Sequence, residues 1–309
     1  MICALGPHYA CGMRRWVILF GMLLAGFCVG VFLAGSVLIA PMPVSIPDTA
    51  LPLPHETIEF RGPSGNVVHG WFVPFASDAL GTIVLMHGVR ANRLSMVGRA
   101  EMLHRAGYAV LLFDFQAHGE SPGDHITMGW LESGDARAAV AYARSRAPGQ
   151  FVAAIGVSLG GAAALLGEEP LAVDALVLEA VYPDIQAATA NRLGMRSGGA
   201  GRLLAPLLLL QLKPRLGISS ADLAPISAIS RIHVPVLIIA GGEDRHTTPA
   251  DSARLFAAAP EPKQLWMIPG AAHVDFARYA GQAYEERVLS FFAAVIRNPG
   301  SRSGIPASP

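Results

Sequence analysis

Cysteine is scarce in this chain and absent where a fold would use it: Cys3, Cys11 and Cys28 are its three cysteines, and none follows Cys28. A disulfide framework and a zinc–thiolate site are therefore excluded from everything after that point. Net charge is missing as well, because Lys plus Arg and Asp plus Glu number 23 each. No field draws the chain to a polyanion, so nucleic acid is not an expected partner. There is no H-E-x-x-H and no clustered set of metal ligands. The glycines from Gly156 to Gly161 do not spell G-x-G-x-x-G with an acid following at the usual distance, so no metal, dinucleotide or other cofactor is expected. Internal repeats are lacking too. Charged residues make up only 15% of the chain, against 52% hydrophobic.

Much of that excess lies in one place. From Trp16 to Ala40 no charge interrupts an apolar run, which Arg14 and Arg15 precede. A helix of roughly 20 such residues crosses a bilayer, and this run is longer. A cleavable signal peptide has a shorter apolar core of roughly 7 to 15 residues and a small-x-small site. An uncleaved signal anchor over 16–40 is the expectation. Residues 1–15 then stay cytoplasmic by the positive-inside rule, and the chain beyond Pro41 lies across the membrane, in the periplasm if the source is bacterial. Met13, directly before the arginines, is an alternative start. Residues 41–54 carry five prolines and read as an extended linker that lifts the folded part, 55–297, off the bilayer. Residues 298–309, rich in Pro, Ser and Gly, read as a disordered tail.

The folded part alternates short apolar runs with helical stretches. Thr57–Phe60 and Val67–Pro74 flank a Gly-Pro-Ser-Gly-Asn turn and form a hairpin. Strands are expected at Thr82–Met86, Ala109–Phe113, Phe151–Val157, Leu171–Leu178, Val234–Ala240 and Lys263–Ile268. Helices are expected between them and at Gln282–Ile296, where Tyr284, Val288, Phe292 and Val295 fall on one stripe. Continuous apolar strands alternating with helices mean an α/β fold, a mostly parallel doubly wound sheet covered on both faces. Sites in such sheets lie beyond the carboxyl ends of the strands. Residues 183–225 break the alternation and read as an inserted cap. Its run Leu203–Leu212 is too short to span a bilayer and is interrupted by Pro206. It packs on the body, lines an acyl-sized pocket or touches the membrane surface.

Gly156-Val157-Ser158-Leu159-Gly160 falls between an apolar strand and a small-residue helix. A serine on so sharp a turn needs neighbours without side chains, since strand and helix backbones approach closely there. The helix N-terminus adds a field that favours developing negative charge. A serine hydroxyl needs a base within reach and an acid to orient that base, in the chain order Ser, Asp or Glu, His. His273, in the loop Pro269-Gly270-Ala271-Ala272 after the last strand, is the expected base. Asp244, after Gly241-Gly242-Glu243, is the expected acid, with Glu243 its rival. His233 and His87 read as structural, and Asp275 and Asp251 as helix N-terminal residues. Oxyanion donors are expected in the backbone N–H groups of Leu159 and of Val89, in the loop after Thr82–Met86.

These features resemble the α/β-hydrolase superfamily: His87-Gly88, the segment Asp114-Phe115-Gln116-Ala117-His118-Gly119-Glu120-Ser121, the elbow at Ser158, the Gly-Gly-Glu-Asp turn and the Gly-x-x-His loop follow in the family order. Within it the chain is similar to membrane-anchored bacterial members near the serine aminopeptidase and acylglycerol lipase branches. Ala117 stands where the family usually carries glycine. The resemblance implies a scaffold role for Asp114 and His118. It also implies a serine hydrolase acting on a small-molecule or lipid-like acyl substrate. An acyltransferase or peptidase on the same residues, and a non-catalytic envelope scaffold, remain open alternatives.

Overall fold

A computed structural model describes residues 7–75 and 78–298. Residues 1–6 of the N-terminal segment and the tail from 299 onward lie outside them. Helix α1 (Pro7–Ile39) leads to a short strand β1 (Met42–Pro43) and the hairpin β2 (Glu56–Arg61) and β3 (Val67–Val73). Then follow β4 (Thr82–Met86), α2 (Val97–Arg105), β5 (Ala109–Phe113), β6 (His118–Gly119), α3 (Glu132–Arg146), β7 (Val152–Val157) and α4 (Leu159–Leu165). After β8 (Ala175–Glu179) come three helices, α5 (Ile185–Leu209), α6 (Leu212–Leu216) and α7 (Pro225–Ala228). The chain closes with β9 (Val236–Gly241), α8 (Pro249–Ala258), β10 (Lys263–Ile268), α9 (Phe276–Ala280) and α10 (Gln282–Arg297).

The main sheet has eight strands in the order β10-β9-β8-β7-β4-β5-β3-β2. It is parallel from β10 to β5, and β3 and β2 pair antiparallel at one edge. Both faces are covered, which is why the strands read as unbroken apolar runs. On β4, Val84 and Met86 join the core under α3 and α4, while Ile83 and Leu85 join the core under α2 and α10. β8 begins later than its apolar run because Asp174 is turned inward, where its carboxylate accepts the Val152 N–H at 2.7 Å.

Within α1, Arg15–Ile39 is a span of 25 residues with mean hydropathy 2.6, long and apolar enough to cross a membrane. Most of its side chains are exposed, and contact with the body is confined to its last turns. Gln211 Nε2 donates to Val31 O at 3.0 Å, and Arg215 donates to Phe32 O and Ser36 Oγ at 3.1 and 2.8 Å. Arg90 donates to Val37 O at 2.9 Å, a cation on one of the carbonyls that a helix C-terminus leaves without an intrahelical partner.

Two expectations are corrected here. Residues 41–54 do not lift the body away from α1. Met42 N–H donates to Ala117 O and Val44 N–H to Gly119 O, each at 2.8 Å, and Ile46 N–H donates to Glu120 Oε1 at 3.0 Å. Ile46 and Leu51 are buried. Proline confers extension but does not prevent an edge pairing in which only the intervening residues donate. The other correction concerns the long cap helix α5. Pro206 lies inside it, and the break falls instead at Ser197 and Gly198, where Gly198 takes φ 59°. The two halves then meet so closely that a Cβ on Gly201 would lie 2.3 Å from Leu193 O.

Asp135 gives the fold a pH dependence. Its Oδ2 accepts the Gln116 N–H at 2.9 Å, while Oδ1 is buried without a hydrogen bond. Burial pushes the carboxyl up to about 7. The folded state thus holds a proton that the unfolded state releases near pH 4, and stability is lost as pH rises through that window. Asp135→Asn should gain on the wild type by up to about 4 kcal/mol between pH 4 and 8. Thermal melting across that range checks it, and a constant difference at every pH would refute the assignment.

Candidate active site

The strand β7 hands directly to α4 through Ser158, whose φ of 49° and ψ of −106° are outside the regions open to most L-residues. Such backbone costs on the order of 1–3 kcal/mol and is held only by its surroundings. Ser158 N–H donates to Glu179 O at 2.8 Å, and Ser158 O accepts from Ala162 N–H at 3.0 Å. The flanking glycines are required by contact. A Cβ on Gly156 would lie 2.6 Å from Gly161 Cα, and one on Gly160 would lie 2.4 Å from Met86 O. The His87–Val89 loop after β4 is adjacent, since a Cβ on Gly88 would lie 3.9 Å from Ser158 Cβ.

Asp244 and His273 come from the loops after β9 and β10, and they meet: His273 Nδ1 lies 2.7 Å from Asp244 Oδ2. Asp244 is buried, and its other oxygen accepts the His246 and Thr247 N–H groups at 2.7 and 2.9 Å. This turn-internal bonding aims the carboxylate at the histidine. Glu243, the rival acid, is exposed and makes no side-chain hydrogen bond or ion pair among the described residues. Ser158, His273 and Val89 share the wall of one open pocket of about 830 Å³. Val89 N–H meets no acceptor among the described residues, and Leu159, first residue of α4, carries one of the N–H groups a helix start leaves free.

Of the other histidines and acids weighed from the sequence, His87, His233, Asp114 and Asp251 do not line this pocket, whereas Asp275 does. His87 is fully buried, its Nε2 accepting the Phe115 N–H at 3.1 Å and its Nδ1 2.8 Å from Gly88 O. Burial pushes it down to about 3, so it stays neutral. His233 is exposed at the opposite end of the sheet, before β9. Asp275 caps α9, and Asp251 completes a capping box with Thr248. Asp114 accepts the Arg93 N–H at 2.7 Å and pairs with its guanidinium in the core. The turn holding Asp114 and His118 keeps its shape with Ala117 at φ 59° in the glycine position.

Three residues that sequence reasoning missed stand at the same pocket. Arg99 and Glu179 form a buried ion pair behind Ser158. Arg192, from α5, contributes to the pocket wall. His246 is a fourth neighbour, its ring 4.9 Å from that of His273. Desolvation, then the nearby His273 and Arg192, lower its affinity for a proton. Glu179 had a usable signal, its place at the carboxyl end of β8; the others had none.

Residues 77–229 match the family model described as serine aminopeptidase, S33. An uncharacterized protein of Mycobacterium tuberculosis is 34% identical over 242 residues, covering 75% of this chain and 77% of the relative. The uncharacterized protein YfhR of Salmonella typhi is 30% identical over 266 residues, with 79% and 84% covered. Among solved structures, an esterase of Pyrococcus furiosus superposes with a TM-score of 0.67 at 22% identity, covering 83% of this chain and 98% of the other. The α/β hydrolase GrgF of a Penicillium species superposes at 0.61 with 20% identity, over 79% and 100%. Sheet order, elbow and relatives define a hydrolase of the α/β type. The chain belongs to the α/β-hydrolase superfamily.

Proposed function

We propose that this protein is a membrane-tethered serine hydrolase that cleaves carboxylic esters or related acyl bonds through Ser158, His273 and Asp244. The observation that carries the reading is the 2.7 Å contact of His273 Nδ1 with the buried Asp244 Oδ2, His273 itself lining the pocket that also holds Ser158. With its Nδ1–H held by a carboxylate, the His273 ring presents Nε2 as a base toward the pocket. Ser158 Oγ loses its proton to that nitrogen and attacks the acyl carbon. The tetrahedral oxyanion is met by the N–H groups of Val89 and Leu159, each worth a few kcal/mol. His273 then returns the proton to the leaving alcohol. In the second half-reaction water repeats the sequence on the acyl-enzyme, which restores Ser158.

The region between β8 and β9 favours a lipid-like acyl group. Leu203, Leu207 and Leu210 of the cap are exposed on or directly after α5, close to where Gln211 and Arg215 hold α1 at Val31, Phe32 and Ser36. Val31 lies about 12 Å before the end of α1 at 1.5 Å per residue. If α1 is the anchor, these leucines therefore lie at the level of the bilayer edge. The anchor has its arginines on the cytoplasmic side and the pocket beyond the membrane.

A fluorophosphonate probe tests the reaction class on the full chain in detergent. The wild type is expected to become labelled, and Ser158→Ala is expected to lose the label. An unlabelled wild type, or equal labelling of the variant, would overturn the reading.

A further inference from the structure

The cap places a positive charge in the pocket wall without giving it a partner. Arg192 is half-buried on α5, in the same pocket as Ser158 and His273, and its guanidinium makes no hydrogen bond or ion pair among the described residues. The groups whose electrostatics reach it most are the Tyr182 phenol and the Asp244 carboxylate, and both are already committed. Tyr182 donates its hydroxyl proton to Met128 O. Asp244 receives His273 and two backbone N–H groups. The other arginine in this wall, Arg99, is neutralised by Glu179 and Asp275 at 2.6 and 2.8 Å. Arg93, buried below the neighbouring loop, is neutralised by Asp114 and Glu120. Elsewhere this fold pairs the arginines it takes out of water, as the cost of a desolvated, unsatisfied cation demands. Arg192, half-buried and open to the pocket, keeps the five N–H donors of its planar fork without a protein acceptor among the described residues. Partial burial also holds its proton affinity below that of a free guanidinium, a cost that an incoming anion would remove.

We propose that Arg192 is the recognition group of an anion subsite, and that the natural substrate is an ester carrying a carboxylate or phosphate. The guanidinium fork takes that group through two parallel N–H···O bonds and so sets the distance from the anion to the acyl carbon facing Ser158. This deepens the serine hydrolase reading and rests on it. An anion suits Arg192 and opposes no unpaired acid of the wall, because Glu179 and Asp275 are spent on Arg99. Arg192 is thereby a specificity-determining residue on the cap, and it touches the substrate away from the reacting bond.

The test uses matched ester pairs on the full chain in detergent, read as the ratio of kcat/KM for the anionic member over the neutral one. For an anion on the acyl side the pair is p-nitrophenyl hemiglutarate beside p-nitrophenyl pentanoate. For an anion on the alcohol side it is the butyrate ester of 4-hydroxybenzoate beside that of 4-hydroxybenzamide, and phenyl phosphate serves as a competitive probe for the phosphate form. Charge-assisted hydrogen bonds of this kind correspond to roughly ten- to hundredfold in the ratio. Arg192→Gln is expected to lower the ratio at least tenfold for one of the pairs, or to weaken phenyl phosphate inhibition to the same extent, and Arg192→Lys to recover part of it. Unchanged ratios and unchanged inhibition in Arg192→Gln overturn the subsite, as does an equal fall on both members of each pair. Fluorophosphonate labelling of Ser158 in the same samples keeps the two readings apart: an unlabelled wild type defeats the serine hydrolase, whereas labelled proteins with unmoved ratios defeat only the anion subsite. Labelling of Arg192→Gln also reports that its pocket is folded.

Discussion

Ser158→Ala should lower kcat on an activated ester by at least about a thousandfold, because the reaction then loses its covalent intermediate and His273 has no hydroxyl to deprotonate. Groups that act as one unit are not additive: once the nucleophile is gone, removing the base or acid costs little more. Ser158→Ala/His273→Ala should therefore be no slower than Ser158→Ala by more than a few fold, although His273→Ala alone is also expected to lose orders of magnitude. Alanine keeps the Cβ of serine and inherits the backbone strain at φ 49°, so the variant's melting temperature should stay near that of the wild type. Steady-state kinetics on p-nitrophenyl butyrate, with melting curves as the control for folding, decides the matter. A Ser158→Ala protein retaining a tenth of the wild-type rate would remove the serine from the chemistry.

The ease with which Ser158 could be read has a local cause. The sharp strand-to-helix turn around Ser158 is written within six residues, Gly156 to Gly161, because the close approach of strand and helix forbids side chains at positions that can be counted along the chain. The parallel sheet was legible for a similar reason: strands buried on both faces must be apolar, and β4, β5, β7, β8 and β9 are, save for Thr82 and Glu179 at the ends of β4 and β8. Asp244 and His273 were legible only jointly, through the order of loops after β9 and β10, and the family model ends at residue 229, before either. Residues 41–54 misled because their prolines describe stiffness and say nothing of what the segment lies against. The break in α5 misled because Pro206 is a strong local breaker, yet the chain turned at Ser197 and Gly198, among glycines that let the helix halves meet. Arg192 and Arg99 were not legible at all, and Glu179 only through its place at the carboxyl end of β8. An arginine on a cap helix carries no mark of the wall it will face, and Arg99 and Glu179 stand 80 residues apart in the chain.

That ion pair supports the second large expectation, Arg99→Met. Arg99 Nε and Nη2 donate to the two carboxylate oxygens of Glu179 at 3.0 and 2.6 Å, and Tyr284 Oη donates to Glu179 Oε1 at 2.6 Å. All three side chains are buried. Removing the guanidinium leaves a carboxylate in the core with one phenol for company, and breaking a buried pair from one side costs about 3–5 kcal/mol. Removing both charges costs far less, since well-packed apolar replacements of buried pairs are often close to neutral. Arg99→Met should thus lose about 3–5 kcal/mol in denaturant unfolding, and adding Glu179→Leu should return most of it, a coupling a double-mutant cycle measures directly. A loss below about 1 kcal/mol in Arg99→Met would mean that the pair is solvated and weak. The consequence reaches the active site through the main chain. Glu179 O receives the N–H of Ser158 at 2.8 Å, one of the bonds that hold the strained elbow in place. A displaced Glu179 loosens that elbow, so kcat of Arg99→Met should fall more than KM rises, and the double variant, with the backbone at position 179 again seated, should recover rate together with stability.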